Sequence, residues 1–264
     1  MSKKIKAWDR LSIARMIERP NAEDYINLIF NIFIELHGDR YYGDDSAVIG
    51  GIGFLDEKPV TIIGIQKGKN LKENMERNFG SAHPEGYRKA LRLMKEAEKF
   101  NRPIICFINT SGAYCGVEAE ERGQGEAIAR NLMEISQIKV PIISIIIGEG
   151  GSGGAIALAC GDRVWCLENS IYSILSPEGF ASILFKDSSK AKEVAEIMGI
   201  TSYDLLEIGV VEKIIKEPEG GAQNNIEKVA LDIKENLLKE LKILQSKDKD
   251  KLLEERYKRY RGFC

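Results

Sequence analysis

The longest apolar run of the chain leads directly into its densest cluster of glycines. Residues 140–147 are almost all apolar and mostly β-branched, which is typical of a strand covered on both faces. Residues 148–155 read Gly-Glu-Gly-Gly-Ser-Gly-Gly-Ala and predict a turn, and residues 152–160 predict a short buried helix. This stretch therefore predicts a strand, a glycine turn and the start of a helix.

The same order of strand, turn and helix recurs along the chain. The pattern predicts helices at 22–36 (opened by Pro20-Asn21), 84–99, one carrying Ile128, Leu132 and Ile135, from Phe180, 191–198, 202–209 and 226–244. It predicts strands at 47–55, 59–66, 103–108, 163–167, 170–174 and 210–216, turns at 56–58, 109–116 and 176–179, a loop with a helix entry at 67–79, and a charged tail at 246–261. Repeated β-β-α units indicate a spiral of small sheets stacked on helices, although periodicity alone does not separate this from a doubly wound sheet.

Composition narrows the class of protein. With 264 residues, 44% of them hydrophobic, the chain can bury one large core or two small ones. The net charge of -2 gives no overall reason to expect a nucleic acid or an anionic membrane as partner. The five cysteines include no C-x-x-C pair, which argues against a zinc ribbon or a disulfide framework. The basic N-terminus lacks the apolar core of a signal peptide and no run reaches transmembrane length, so a cytoplasmic location is expected.

Two enzyme motifs overlap in the glycine turn. Gly148, Gly150 and Gly153 fit the dinucleotide-binding pattern, with Glu168 near the place of its ribose-binding acid, but the following helix is short and the turn comes late in the chain. Ser152 fits a nucleophile elbow, yet both histidines precede it, whereas that hydrolase order needs a later histidine; a Ser-Lys variant stays open. A P-loop fails because no Gly-Lys-Ser/Thr follows.

A third interpretation needs no catalytic side chain. Uncovered backbone N–H groups at the start of a helix can stabilise negative charge on a carbonyl oxygen. Glycines that only allow tight packing are about as common. The glutamates Glu118, Glu120, Glu121 and Glu126 are more typical of a solvated helix face than of a general base. Lys67, Lys69 and Arg77 could contact a phosphorylated or carboxylated group, although solvated loop charge is the commoner case.

Longer motifs resemble a known family. They are Glu35-Leu36-His37-Gly38-Asp39-Arg40, Gln66-Lys67-Gly68, Arg77-Asn78-Phe79-Gly80, residues 84–94, residues 116–123 with 126–131, the glycine turn and residues 174–184. Together they resemble the carboxyltransferase alpha subunit of multi-subunit acetyl-CoA carboxylase, over about residues 7–262. The chain begins near the point where the family's usual N-terminal helical extension ends, so it looks like a short member. It departs from the family at Ser111, Cys115 and Gly125, which bears on loop rigidity more than on chemistry.

The resemblance implies a fold and its boundaries. The implied fold is α/β and crotonase-like (ClpP/crotonase), a spiral of stacked β-β-α units with flanking N- and C-terminal helices. The expected organisation is an N-terminal helical segment at 1–36, a carboxyltransferase core at 37–222 and a C-terminal helical segment at 223–264.

The resemblance also implies a reaction. The carboxyl group of carboxybiotin, held on the biotin carboxyl carrier protein, passes to acetyl-CoA and gives malonyl-CoA, the first committed step of fatty acid synthesis. Gly150 and Gly151 are then expected to stabilise charge on the biotin ureido oxygen. Binding of biotin or substrate is expected of the turn residues and of two basic side chains: Gly112, Ala113, Tyr114, Gly153, Gly154, Lys67 and Arg77. The proton of acetyl-CoA most simply goes to the departing biotin nitrogen, so no protein base is expected.

The resemblance assigns the rest of the site to other chains. A zinc-ribbon-bearing beta subunit would hold acetyl-CoA, biotin carboxylase would act on the same carrier, and two alpha and two beta subunits are implied. Biotin is not covalently bound to this chain, no metal is expected in it, and the chain is expected to act only with the beta subunit. An NAD(P)-dependent oxidoreductase using the Gly148–Gly153 turn and a non-catalytic scaffold for the carrier remain as alternatives.

Overall fold

Residues 5–263 are described by a computed structural model, and their strands form one sheet. The strands are β1 (Phe33–Glu35), β2 (Val48–Leu55), β3 (Lys58–Ile65), β4 (Ile104–Thr110), β5 (Ile142–Gly151), β6 (Arg163–Leu167), β7 (Ile171–Ser173) and β8 (Lys213–Ile215).

Helices cover both faces of this sheet. They are α1 (Ala7–Ala14), α2 (Ala22–Ile29), α3 (Leu71–Glu76), α4 (Pro84–Lys99), α5 (Val117–Glu121), α6 (Gln124–Ile135), α7 (Ser152–Ile156), α8 (Pro177–Phe185), α9 (Ala191–Ala195), α10 (Ser202–Glu207), α11 (Ile226–Gln245) and α12 (Lys249–Arg261), with single 3₁₀ turns at Asn78–Gly80, Ser188–Lys190 and Ala222–Asn224. None of the helices within residues 5–263 has the length and apolar character needed to cross a membrane.

The sheet order is β1-β2-β3-β4-β5-β6-β8. β1, β2 and β3 are antiparallel, and from β3 onwards neighbouring strands run parallel. Alternate residues of the central strands point to opposite faces: Cys106 packs into a cluster with α4 and α6, whereas Phe107 packs into one with α2 and α11. Strands buried on both faces explain the continuous apolar runs of the sequence.

Strand β5 is longer than its neighbours and takes two partners in succession. Its first part pairs with β6, and its last residues, from Glu149 to Gly151, pair with β7. On the other side a register shift between Ile108 and Thr110 brings Thr110 beside Gly150. The glycines from 148 to 151 thus belong to a strand, which corrects the predicted turn, because β7 continues the ladder beyond the end of β6.

Two predicted helices end earlier than expected. The helix at 22–36 stops at Ile29, and Phe33–Glu35 is instead strand β1. A side chain on Gly51 would overlap the backbone of Ile34, so the glycines of β2 make the room that β1 occupies. The helix at 152–160 stops at Ile156, while the helix expected from Phe180 begins at Pro177, capped by Ser176.

Other predicted elements are confirmed with small shifts of their ends. Helix 84–99 and strand 163–167 have the predicted bounds, and the last long helix runs one residue further, to Gln245. The prediction of a charged tail at 246–261 was wrong, since Lys249–Arg261 forms helix α12 and its Arg256 is buried. The division at residues 36 and 222 stays a prediction.

Candidate active site

The turn after β4 and the turn after β5 lie against each other. An ideal Cβ on Gly151 would overlap the carbonyl group of Ser111, and one on Gly154 would lie 2.6 Å from the backbone nitrogen of Ala113. Real Cβ atoms essentially never come so close to another heavy atom. Glycine is therefore required at both positions because backbone meets backbone there.

Gly150 and Gly151 differ in their surroundings. Gly150 pairs with Thr110 on one side and with Tyr172 on the other, so it is held inside the sheet. Gly151 pairs only with Ser173 and is the N-cap of α7. Ser152, the first residue of α7, has a φ of 54° and turns the chain sharply from strand to helix. The end of β5 thus presents backbone at a sharp strand-to-helix turn.

In the turn after β4, backbone N–H groups are already hydrogen-bonded within the protein. The Gly112 N–H donates to Thr110 Oγ1 over 3.0 Å, so this amide is already engaged. Tyr114 stacks on His83 with ring centroids 4.0 Å apart, and its N–H donates to the Ala82 carbonyl over 3.0 Å. Its hydrogen bond with Glu118 raises the pKa of the Tyr114 hydroxyl. These contacts hold the turn in one conformation beside Gly154.

Ser152 has no base within reach. His83 lies under Tyr114 and contacts Asn78, and His37 contacts Asp44 over 3.0 Å. Within residues 5–263 no hydrogen bond of the Ser152 hydroxyl is present, so neither a histidine nor a lysine activates it there. The geometry does not support the nucleophile-elbow interpretation.

Glu149, between the glycines of β5, is buried and doubly paired. Its carboxylate accepts from Arg15 Nε over 2.7 Å and from the ammonium of Lys67, and its N–H donates to Asn109 Oδ1 over 3.0 Å. Burial opposes ionisation, but Lys67 and Arg15 outweigh it and hold the pKa of Glu149 below its usual range. The end of β5 is thereby tied to α1, to the loop after β3 and to the end of β4.

Sequence reasoning missed Glu149 and Arg15. The available signal was a single carboxylate inside an apolar, glycine-rich stretch, since such a residue needs a buried counter-charge. Of the two basic residues expected to bind biotin or substrate, Lys67 lies at this carboxylate, whereas Arg77 pairs with Glu23 over 3.2 Å and donates to the Lys67 carbonyl. The glycine turns and Lys67 are thus brought together, and Arg77 supports the loop that carries Lys67.

Replacing Glu149 with glutamine is expected to reduce stability in a pH-dependent way. Because the pKa is depressed in the folded state, the carboxylate contributes stability above its unfolded pKa of about 4.5, and this contribution is lost as pH falls through the lower folded pKa. Denaturant unfolding at pH 7 should show a loss of about 2 kcal/mol, the scale of a hydrogen bond to a charged group. Below pH 4.5 the gap between wild type and variant should narrow, whereas Glu57→Gln, at an exposed site, should leave the profile unchanged. A difference in unfolding free energy between wild type and Glu149→Gln that does not change with pH would contradict this role of the carboxylate.

An apolar cavity of about 340 Å³ opens beside α7. Its lining includes Gly153, Ile156, Tyr172, Ile174 and Leu205. A Cβ on Gly153 would have only Ile128 nearby, at 3.7 Å, so this glycine leaves real space. The cavity could hold an uncharged ring system next to the end of β5. Among residues 5–263, no group of three or more His, Cys, Asp or Glu side chains is arranged to hold a metal ion.

The glutamate proposed for a dinucleotide fold is engaged elsewhere. Glu168 accepts from the Tyr203 hydroxyl and, over 3.2 Å, from Lys216. Helix α7 has only five residues, too short for the phosphate-binding helix of that fold.

Comparison with known proteins gives concordant matches. The family model described as acetyl co-enzyme A carboxylase carboxyltransferase-like matches residues 1–264. The chain is 61% identical over 260 residues to the acetyl-coenzyme A carboxylase carboxyl transferase subunit alpha of Clostridium acetobutylicum, covering 98% of this chain and 95% of that one. It is 60% identical to a Clostridium tetani protein named as subunits beta/alpha, covering 99% of this chain and 45% of that one.

Solved structures match with lower sequence identity. Transcarboxylase 12S with methylmalonyl-coenzyme A and methylmalonic acid bound matches with a TM-score of 0.72 at 17% identity, over 91% of this chain and 45% of that one. A Pseudomonas malonate decarboxylase hetero-tetramer in complex with coenzyme A matches with a TM-score of 0.69 at 14% identity, over 88% and 90%. At such identities these matches concern the fold.

Proposed function

The chain belongs to the acetyl-CoA carboxylase carboxyltransferase family and is an alpha subunit of this biotin-dependent enzyme. From this we propose how the turns after β4 and β5 take part in carboxyl transfer. The crotonase-like α/β fold is confirmed, since the structural neighbours are crotonase-like carboxyltransferases. The oxidoreductase and scaffold alternatives find no support among the relatives.

The proposed role of the β5 glycines is to stabilise negative charge on the ureido oxygen of biotin. When bound, carboxylated biotin supplies the carboxyl group. Gly151 is favoured as the principal donor, because it pairs on one side only and lies at the strand end, while Gly150 holds it in the sheet. The single observation that carries this role is the one-sided pairing of Gly151 with Ser173 at the end of β5, since the contact with the Ser111 carbonyl explains only why this residue is glycine. One such donor typically contributes about a hundredfold to a thousandfold in rate.

The apolar cavity beside α7 is proposed to take the rings of biotin. Its lining of Ile156, Tyr172 and Ile174 suits a largely uncharged bicyclic group, and Gly153 leaves it open. Gly112 and Ala113 are proposed to line the cleft, with Tyr114 holding their turn, and Gly154 to keep the two turns in contact. Arg77 is proposed to act through the Lys67 loop.

An alpha subunit requires a beta subunit, and a relative carries both in one chain. The proposal extends this to a zinc-ribbon beta subunit that binds acetyl-CoA, to an assembly of two alpha and two beta subunits, and to a biotin carboxyl carrier protein loaded by biotin carboxylase. It also includes a cytoplasmic location.

Reconstitution tests the proposed function. The chain and a beta subunit are co-expressed and purified together, and malonyl-CoA formation from acetyl-CoA and carboxylated carrier is measured. The complex should form malonyl-CoA, and decarboxylate malonyl-CoA in the presence of biotin, whereas the chain alone should do neither. Full activity without the beta subunit would refute the shared site, and tight NAD binding by the chain would favour an oxidoreductase.

A further inference from the structure

A second cavity, of about 300 Å³, is lined by Glu149 and by its two cationic partners, Arg15 and Lys67. Residues from the segment after α1, the loop after β3, helix α3 and the ends of β4 and β5 line it. Ser111, whose carbonyl meets Gly151, is part of this lining, so the cavity adjoins the proposed charge-stabilising turn. Three asparagines, Asn21, Asn74 and Asn109, also line it, and we call it the amide cavity.

The three asparagine side chains are oriented by their neighbours. In each, Oδ1 accepts a backbone N–H: from Asp24 to Asn21 over 3.1 Å, from Gly68 to Asn74 over 3.0 Å, and from Glu149 to Asn109 over 3.0 Å. The oxygen of each amide is thus used, which places the Nδ2 group on the other side.

The Nδ2 donors of these three amides have no hydrogen-bond acceptor in the part of the chain that the structure describes. Asn21 is 3% exposed, and its Nδ2 is buried with no hydrogen-bond partner. Within residues 5–263 the Nδ2 groups of Asn74 and Asn109 donate no hydrogen bond to the protein either. The Nδ2 groups of Asn74 and Asn109 are not among the fully buried unpaired atoms, so they can donate to a ligand in the cavity, which favours a ligand rich in acceptor oxygens.

The charges around the amide cavity select among such ligands. Arg19 donates to the Ile147 carbonyl and to Glu217, and Arg15 donates to Glu149 and Glu178. Within residues 5–263 the Lys67 ammonium donates to Glu149 alone, and an ammonium group has three donors, so two of its donors are free. Arg15, Arg19 and Lys67 line the cavity beside one carboxylate, Glu149, while Glu178 and Glu217 offset the two arginines without being among the lining residues. The small positive excess that remains suits a single carboxylate better than a phosphate dianion.

We propose that the amide cavity binds the carboxylate that this enzyme transfers, with Asn74, Asn109 and Lys67 as its donors. This inference rests on the proposed function, because it concerns the group that the Gly151 turn acts upon. The carboxylate is carried either by malonyl-CoA or by carboxylated biotin, which present the same two oxygens. Glu149 keeps Lys67 in place while the amides supply the uncharged donors.

Asn74→Asp is the most informative variant. The aspartate keeps the oxygen that accepts the Gly68 N–H and replaces the free donor with a negatively charged oxygen. In the complex with the beta subunit, the KM for the carboxylated substrate should rise about tenfold to a hundredfold, the scale of one charge-assisted hydrogen bond. The KM for acetyl-CoA, which has no carboxylate, should stay within about twofold; a merely structural defect would change both.

A matched control is Asn225→Asp. Asn225 also accepts a backbone N–H through Oδ1, from Lys228 over 3.0 Å, but it caps α11 and is not among the residues that line the amide cavity. This variant should leave every KM unchanged. If Asn74→Asp fails to assemble, Lys67→Gln, which removes the charge but keeps a donor, provides a second test with the same expected direction.

Two assay directions distinguish the source of the carboxylate. A raised KM for malonyl-CoA, measured with biocytin as acceptor, identifies the thioester product; a raised KM for carboxylated carrier protein alone identifies biotin. Either result supports the proposal. Unchanged KM values for both, in a variant complex that is folded and active, overturn it while leaving the function intact. An inactive wild-type complex would instead overturn the function.

Discussion

Gly151→Ala is expected to lower kcat for malonyl-CoA formation at least about a hundredfold, the effect of losing one charge-stabilising donor. Even a methyl group would overlap the Ser111 carbonyl, so the turns after β4 and β5 must move apart. Gly151→Val should abolish transfer altogether. The variants are purified with the beta subunit, and circular dichroism and assembly are recorded beside the rate.

Two companion variants make this result specific. Gly154→Ala also disturbs the contact between the turns after β4 and β5, because its Cβ would lie 2.6 Å from the Ala113 nitrogen. This variant should lose most activity as well. Gly125→Ala, in α6 with nothing within 4 Å of its Cβ position, should be fully active and slightly more stable, since alanine favours a helix over glycine by about 1 kcal/mol. Near-normal malonyl-CoA formation by a folded Gly151→Val complex would refute the proposed role.

Arg256→Met is expected to be the most destabilising change outside the site. The guanidinium of Arg256, 2% exposed, binds both carboxylate oxygens of Asp162 at 2.8 and 2.9 Å and donates to the carbonyls of Ile135, Ile138 and Val140. Removing one partner of a buried pair costs about 3–5 kcal/mol. At about 2–4 °C per kcal/mol for a chain of this size, Tm should fall by about 10 °C.

The control lies on the same helix. Lys258 pairs with Glu254 at an exposed i,i+4 position, and Lys258→Met should cost less than about 0.5 kcal/mol. The double variant Asp162→Leu, Arg256→Met should recover part of the loss, because no buried charge then lacks a partner. Equal Tm values for Arg256→Met and Lys258→Met would show that the buried pair is not needed for stability.

Capping residues and apolar periodicity in the local sequence were enough to predict the bounds of some helices and strands. Helix α4 has proline at its first position and clear periodicity, and β6 has a short apolar run between polar residues, so both were predicted with the correct ends. Phe33 and Ile34 continue the apolar spacing of α2, and only pairing with β2 makes them a strand. The same holds for the glycines at the end of β5, which are strand because β7 lies beside them.

The site was predicted in outline from its glycines and the family resemblance. Its charge network was not, because Glu149 is matched by Arg15, which lies 134 positions earlier in the chain. The free amides of Asn21, Asn74 and Asn109 are equally invisible in the sequence, since their orientation depends on backbone groups elsewhere. Such features arise from packing between distant segments, for which single-sequence patterns hold no signal.

The position of Arg256 has a consequence for how the protein is made. Asp162 also accepts the Ile142 N–H over 2.8 Å, so this carboxylate is hydrogen-bonded to the start of β5, yet its counter-charge follows 94 residues later. On a translating ribosome the sheet residues emerge first, and their carboxylate has no cation until α12 has left the exit tunnel. We therefore expect the final packing of the nascent chain to wait for α12, and a ribosome stalled before residue 256 to hold an incompletely folded chain.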